Sequence, residues 1–204
     1  MPEVLLVERH GDAAVLTLNR PQAGNSINAE LSAALDEALA RLADDRALRA
    51  LVLTGAGQKF FCTGGDIKEY RALADRSAVE AVFGRTRRAL DRLEDFPVPT
   101  IAAVEGHALG GGTEIVLACD LAIAGATARF GLPQVRLGIV PGWNGIERLV
   151  RRCGRGAALR MIAGGEPVDA AAARDLALVD EVAPAGAALE AALRLAGSFS
   201  AAAP

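Results

Sequence analysis

Two short glycine runs carry the residue types from which a reaction site can be built. One is Cys62-Thr63-Gly64-Gly65-Asp66 and the other is Gly110-Gly111-Gly112-Thr113-Glu114. Each opens a helical pattern, and a helix start offers unpaired N–H groups and the positive end of the dipole. Glycine lets a ligand approach the backbone closely. Two such N–H groups aimed at one point make an oxyanion hole, which lowers a barrier by several kcal/mol. Either run alone reads equally well as a tight turn. Neither is followed by the Lys-Ser or Lys-Thr of a P-loop, and neither has the strand and distant acid of a dinucleotide site. Glu114 stands two residues past the glycines, in the first turn of an apolar helix. It is either an acid favoured by the dipole or a general acid or base facing the glycine N–H groups. Burial raises its pKa and the dipole lowers it.

The surrounding pattern shows what must hold these residues. Residues 3–9 and 13–18 read as a hairpin about a Gly-Asp turn. Arg20 to Asn28 is a Pro/Gly/Asn-rich loop, and Asn28 caps a helix carrying Leu31, Leu35, Leu39 and Leu42 to about Asp44. Residues 50–54 are a buried strand. Asp66 caps a helix starting at Ile67, and a second runs from Ser77 to Glu94, stopped by Pro97 and Pro99. Strands follow at Thr100–Val104 and Asp120–Ala124, with the second glycine run and its helix between them. After a loop at 125–142, helices are expected near 144–152, 155–163 and 168–175, then a strand at 177–182 and an Ala-rich helix from about 185. Alternating strands and helices predict an α/β fold with largely parallel pairing.

Composition narrows the function classes. The chain has 204 residues, 51% hydrophobic, with a net charge of −3, which fits one domain and gives no sign of a nucleic-acid partner. No stretch is long and apolar enough to span a membrane, and the start does not read as a signal peptide. Cys62, Cys119 and Cys153 have neither metal nor disulfide spacing, so a reducing cytoplasm is the expected location. No cluster has metal-ligand spacing. His10 belongs to the hairpin turn, exposed. His107 precedes the second glycine run, where a ligand contact and a structural role are equally open. Glu147, beside Arg148, reads as a salt-bridging surface acid.

Five segments in order resemble the crotonase, or enoyl-CoA hydratase/isomerase, family: RPQAGNSIN, KFFCTGGDIKEY, PTIAAVEGHALGGGTEIVLACDLAIA, ARFGLPQVRLGIVPGWNGIERLVRRCG and GEPVDAAAARDLALVDEV. The resemblance implies a spiral of repeated β-β-α units forming a single domain over 1–204, with the core to about 182 and a C-terminal helix over about 184–204. It also implies a homotrimer or dimer of trimers and an enolate derived from acyl-CoA. Coenzyme A enters as part of the substrate, and no separate cofactor is expected. By the same resemblance Gly65 and Gly111 supply the oxyanion N–H groups. Gly64, Gly65, Asp66, Ile67 and Lys68 line the acyl-CoA channel beside Cys62, which on its own surroundings reads as a small packing residue. Ala23, Asn25 and Ile27 meet the CoA moiety, Trp143 walls the acyl pocket, and Glu114 falls on the first catalytic glutamate.

Two departures from the family stand out. Where hydratases carry a second glutamate, this chain has Pro133-Gln134. A glutamine positions water but neither donates nor accepts the proton at neutral pH. Three readings stay open: a hydratase or isomerase, a decarboxylase of malonyl-type thioesters needing little acid–base help, and an acyl-CoA-binding member with impaired chemistry. The second departure is a C-terminal helical region shorter than the family's.

Overall fold

The computed structural model describes residues 3–73 and 75–199. Strands β1 (Leu5–His10) and β2 (Ala13–Leu18) form the expected antiparallel hairpin, and His10 is exposed at its turn. Helix α1 (Ala29–Ala43) follows, its Leu31 N–H held by the Asn28 side chain at 2.9 Å. Three turns of chain then repeat one pattern: a long strand, a short strand, a helix. They are β3 (Ala50–Gly55), β4 (Phe60–Cys62) with α2 (Ile67–Ala72) and α3 (Arg76–Glu94); β5 (Thr100–Val104), β6 (His107–Leu109) with α4 (Gly111–Ala118); and β7 (Leu121–Gly125), β8 (Arg129–Gly131) with α5 (Gly145–Gly164). Strand β9 (Val168–Asp169), α6 (Ala170–Asp175), β10 (Glu181–Ala183) and α7 (Ala188–Phe199) complete the described chain.

The long and short strands go to different sheets. One sheet has the order β1-β2-β3-β5-β7-β10, the other β4-β6-β8-β9. Pairing is parallel except between β1 and β2 and between β8 and β9. This is the expected spiral of β-β-α units.

The larger sheet is covered on both sides, and the alternation of side chains divides it. Val15, Val52, Ile101, Ala103 and Ile123 face the alanines of α7, Ala188, Ala191, Ala192 and Ala196. Leu16, Leu51, Leu53, Ala102 and Val104 face the main core with α1, α3 and α4. Small residues on α7 let that helix sit close to the sheet.

Several expected boundaries shift. The segment 125–142 is not plain loop: it contains β8 and a 3-10 turn at Pro133–Leu137. The two helices near 144–152 and 155–163 form one run broken at Gly154, whose φ of 76° and ψ of 160° are not helical. Residues 168–169 pair with β8 before α6 begins, and the strand expected at 177–182 is confined to 181–183. The helix expected over about 184–204 is observed at Ala188–Phe199, and residues 200–204 lie outside those described.

Candidate active site

The second sheet places the two glycine runs side by side. Strands β4 and β6 pair in parallel, Cys62 against Ala108, so the residues just past each strand end emerge together. Glycine is required where they meet. A Cβ built on Gly112 would lie 2.0 Å from the Cys62 carbonyl oxygen, and one on Gly64 would lie 2.7 Å from the Gly111 nitrogen. Gly64 also has φ of 93°, in the left-handed region. Thr113 pins the start of α4 to both neighbouring strands: its hydroxyl donates to the Ala108 carbonyl at 2.7 Å and accepts the Gly131 N–H at 3.2 Å.

Neither the Gly65 nor the Gly111 N–H donates a hydrogen bond among the described residues, and both residues line one cavity of about 170 Å³. Its wall also includes Ile67, Tyr70, Phe83, Glu114, Gln134, Leu137, Ile139, Val140 and Trp143. A few convergent polar groups in an apolar wall are what a small-molecule site requires. A larger cavity of about 260 Å³ lies at the far end of α4, where Arg148, Arg151 and Arg152 are already paired with Asp91, Glu94 and Asp180.

Glu114 is 2% exposed, on the cavity wall. Its Oε1 accepts the N–H groups of Trp143 at 2.8 Å and Gly145 at 3.1 Å, and its Oε2 accepts from Gln134 Nε2 at 3.2 Å. Burial pushes its pKa above the ordinary carboxylate value; the backbone N–H bonds and the nearby Arg148 cation pull back without cancelling the rise. Gln134 is 9% exposed, and its Oε1 has no partner among the described residues, nor has Trp143 Nε1.

Other sequence-selected residues support the cavity from behind. Asn25 and Ile27 are fully buried and do not line it. Asn25, at φ of 53°, holds the loop together through the Arg20 N–H at 2.9 Å and the Ala56 and Phe60 carbonyls at 3.0 and 2.8 Å. Ile27 donates to the Gly64 carbonyl at 2.8 Å and accepts the Asp66 N–H at 2.9 Å, which fixes the loop beside Gly65. Asp66 caps α2 as expected, through the Glu69 N–H at 3.3 Å, and its carboxylate pairs with Arg20 at 3.0 Å. Burial alone would raise its pKa; the Arg20 hydrogen bond and charge, with the Glu69 N–H and the Ser26 hydroxyl, hold it below the usual value. Ala23 is half-buried and Lys68 exposed, and neither lines the cavity.

Cys62 stands behind the wall rather than on it. It is fully buried, and desolvation pushes its thiol up to about 12, so no thiolate is available. His107 stacks edge-on against Phe60 at 5.6 Å and does not line the cavity. Glu147 is exposed as expected but forms no salt bridge among the described residues, while its neighbour Arg148 turns inward to Asp91 and Glu94 at 2.7 and 2.8 Å. Among the described residues no three His, Cys, Asp or Glu groups are placed to hold a metal ion, and no helix is long and apolar enough to cross a membrane. Tyr70 and Phe83 were not evident as site residues in the sequence. Each sits within a helical pattern, and nothing in their spacing distinguishes a cavity wall from a core.

The fold coincides with that of a known class. The family model described as "Enoyl-CoA hydratase/isomerase" matches residues 8–204, and the chain belongs to that family. It is 42% identical over 183 residues to a probable enoyl-CoA hydratase, echA8, of Mycobacterium tuberculosis, covering 90% of this chain and 70% of that protein. It is 41% identical over 197 residues to the 2,3-dehydroadipyl-CoA hydratase of Escherichia coli, covering 96% of this chain and 75% of that one. The crystal structure of an enoyl-CoA hydratase from Bacillus anthracis superposes with a TM-score of 0.95 at 36% identity, covering 98% of this chain and 78% of that one. The fold is therefore crotonase-like, and the protein is an acyl-CoA enzyme of lyase or isomerase type.

Proposed function

We propose that the cavity binds the thioester end of an acyl-CoA and holds its oxygen with the Gly65 and Gly111 N–H groups while negative charge develops there. The observation that carries this reading is the apposition of two acceptor-free backbone N–H groups on one cavity wall, with a buried carboxylate beside them. Donors fixed before the reaction cost no reorganisation when the charge appears. Oε1 of Glu114 is held by two backbone groups, so Oε2, whose partner is the Gln134 amide, is the oxygen placed to exchange a proton with carbon. When the α-carbon loses its proton to Glu114, the C–H electron pair moves into the thioester and ends on the oxygen; the reverse step protonates the enolate. The reaction class is that of an enoyl-CoA hydratase/isomerase working with one carboxylate.

Gln134 favours a second reading. Hydration draws on two groups, one to take a proton from water and one to give a proton to carbon. The amide cannot be the second acid. Decarboxylation of a malonyl-type thioester instead breaks a carbon–carboxylate bond, sends the electron pair to the same oxygen, and leaves one protonation to Glu114. A member that binds acyl-CoA with impaired chemistry is the remaining outcome.

Assay of crotonyl-CoA, a 3-enoyl-CoA and methylmalonyl-CoA separates the three. Turnover of the first two supports the hydratase/isomerase reading, and turnover of the third alone supports the decarboxylase. Turnover of none, with measurable binding, overturns catalysis on these substrates. The same reading carries a homotrimer or dimer of trimers and a cytoplasmic location, checked by light scattering and by fractionation.

A further inference from the structure

Each of the two glycines with a free N–H carries an aromatic ring on its open face. A Cβ built on Gly65 would lie 2.3 Å from Cε2 of Tyr70, and one on Gly111 would lie 2.1 Å from Cζ3 of Trp143. Phe83 of α3 stands between those rings, with centroids 5.0 Å from Tyr70 and 6.3 Å from Trp143. Both separations fall within the attractive range for aromatic pairs. All three rings line the cavity. The Tyr70 ring is tethered through its hydroxyl, which donates to the Ile27 carbonyl at 3.1 Å, and the Trp143 backbone is held by its N–H donating to Glu114 at 2.8 Å. Phe83 also meets the loop before α5, since a Cβ on Gly142 would lie 3.1 Å from its Cε1. One turn further along α3, the Thr86 and Ser32 hydroxyls share a buried 2.9 Å hydrogen bond that holds α3 to α1.

We propose that Phe83 is a positioning residue that sets the spacing of the Gly65 and Gly111 donors, as the middle ring of an arch from one glycine to the other. This rests on the acyl-CoA reading of the cavity. Close-packed rings transmit displacement rather than absorb it. With the middle ring removed, Tyr70 and Trp143 relax into the gap and each glycine loses the ring that seats it. Misplacement of donors by about 1 Å costs on the order of 100-fold in a transition state. Ground-state binding of the CoA thioester depends far less on that spacing.

The test compares two ligands on the full chain by calorimetric titration: acetoacetyl-CoA, which enolises readily, and butyryl-CoA, which does not. Wild type is expected to prefer acetoacetyl-CoA. In Phe83→Ala that preference, the ratio of the two affinities, falls by about tenfold or more, because both ligands lose the same cavity wall and only the charge developing on oxygen is selected by the donors. Phe83→Tyr, which keeps the ring, restores the preference. The chain has 1 tryptophan, so the emission of Trp143 reads the arch directly and should shift to the red in Phe83→Ala. If Phe83→Ala does not fold, Phe83→Leu is read in the same way. Unchanged preference in whichever of these variants folds overturns the arch and leaves the acyl-CoA reading intact. Failure of wild type to bind either thioester overturns that reading, and the arch with it.

Discussion

Oε1 of Glu114 accepts the N–H of Gly145 from 3.1 Å, so the carboxylate on one helix caps the start of another. Asn144, at the N-cap position of α5, has φ of 64° and makes no side-chain cap; its amide donates to Asp91 instead. The residue proposed for proton transfer is therefore also the cap of α5. A side chain at Gly145 is excluded by the same contact, because a Cβ there would lie 2.4 Å from Glu114 Cγ.

The two roles of Glu114 separate by substitution. Glu114→Ala strands the buried Trp143 and Gly145 N–H groups and is expected to cost about 2–4 kcal/mol in denaturant unfolding. Glu114→Gln keeps an oxygen for the cap and loses the titratable proton. Its stability should stay within about 1 kcal/mol of wild type while turnover falls about 100-fold or more. Unchanged turnover in Glu114→Gln would remove the acid–base role.

The pH dependence has two opposite signs. Burial raises the pKa of Glu114 in the folded protein above its ordinary 4.5. Its contribution to stability is thus fully present below 4.5 and is lost as pH rises through the folded value. Proton abstraction needs the ionised form, so kcat/KM should climb with pH through a midpoint above 4.5. An acid limb centred at or below 4.5 contradicts the assignment. Asp66 runs the other way. Its folded pKa is lowered below 3.8, so its contribution is present above 3.8 and is lost as pH falls through the folded value.

Gln134→Glu brings a second carboxylate to the position where Nε2 now lies 3.2 Å from Glu114 Oε2. Two carboxylates at that distance do not both ionise, and the pair titrates as a unit. The variant should hydrate crotonyl-CoA faster than wild type, with its acid limb moved to higher pH. Slower hydration with the same pH profile would show that Gln134 does not limit this reaction.

Gly111→Ala places a methyl group 2.1 Å from the Trp143 ring and displaces the N–H donor. Turnover should fall by on the order of 100- to 1,000-fold, the usual effect of losing one oxyanion donor. Gly186→Ala is the control. Gly186 has φ of 83° and open space around its Cβ position, so the change strains the backbone by about 1–2 kcal/mol and leaves turnover intact.

The elements that write themselves into local chemistry were legible in the sequence. Asn28 and Asp66 cap α1 and α2 as their types and positions imply, and the leucines of α1 face the core. The second sheet was not legible, because β4, β6 and β8 have three residues each and β9 has two, too short for alternation to register. Yet this sheet aligns Cys62 with Ala108 and so brings the glycine runs together. Glu114 was visible as an acid in an apolar helix; its capping of α5 was not, since Trp143 and Gly145 lie 29 and 31 residues away in sequence. Phe83 was hidden for a related reason: it lies on an amphipathic helix, where an aromatic facing inward looks the same whether it meets a core or a cavity.

The central claim is that the Gly65 and Gly111 N–H groups hold the thioester oxygen. Its most direct measurement is the infrared carbonyl band of an acyl-CoA carrying a ¹³C-labelled thioester, bound to the protein. The band should move to lower frequency than in free solution, and Gly111→Ala should return it toward the solution position. A bound thioester whose band stays at its solution frequency would contradict the claim.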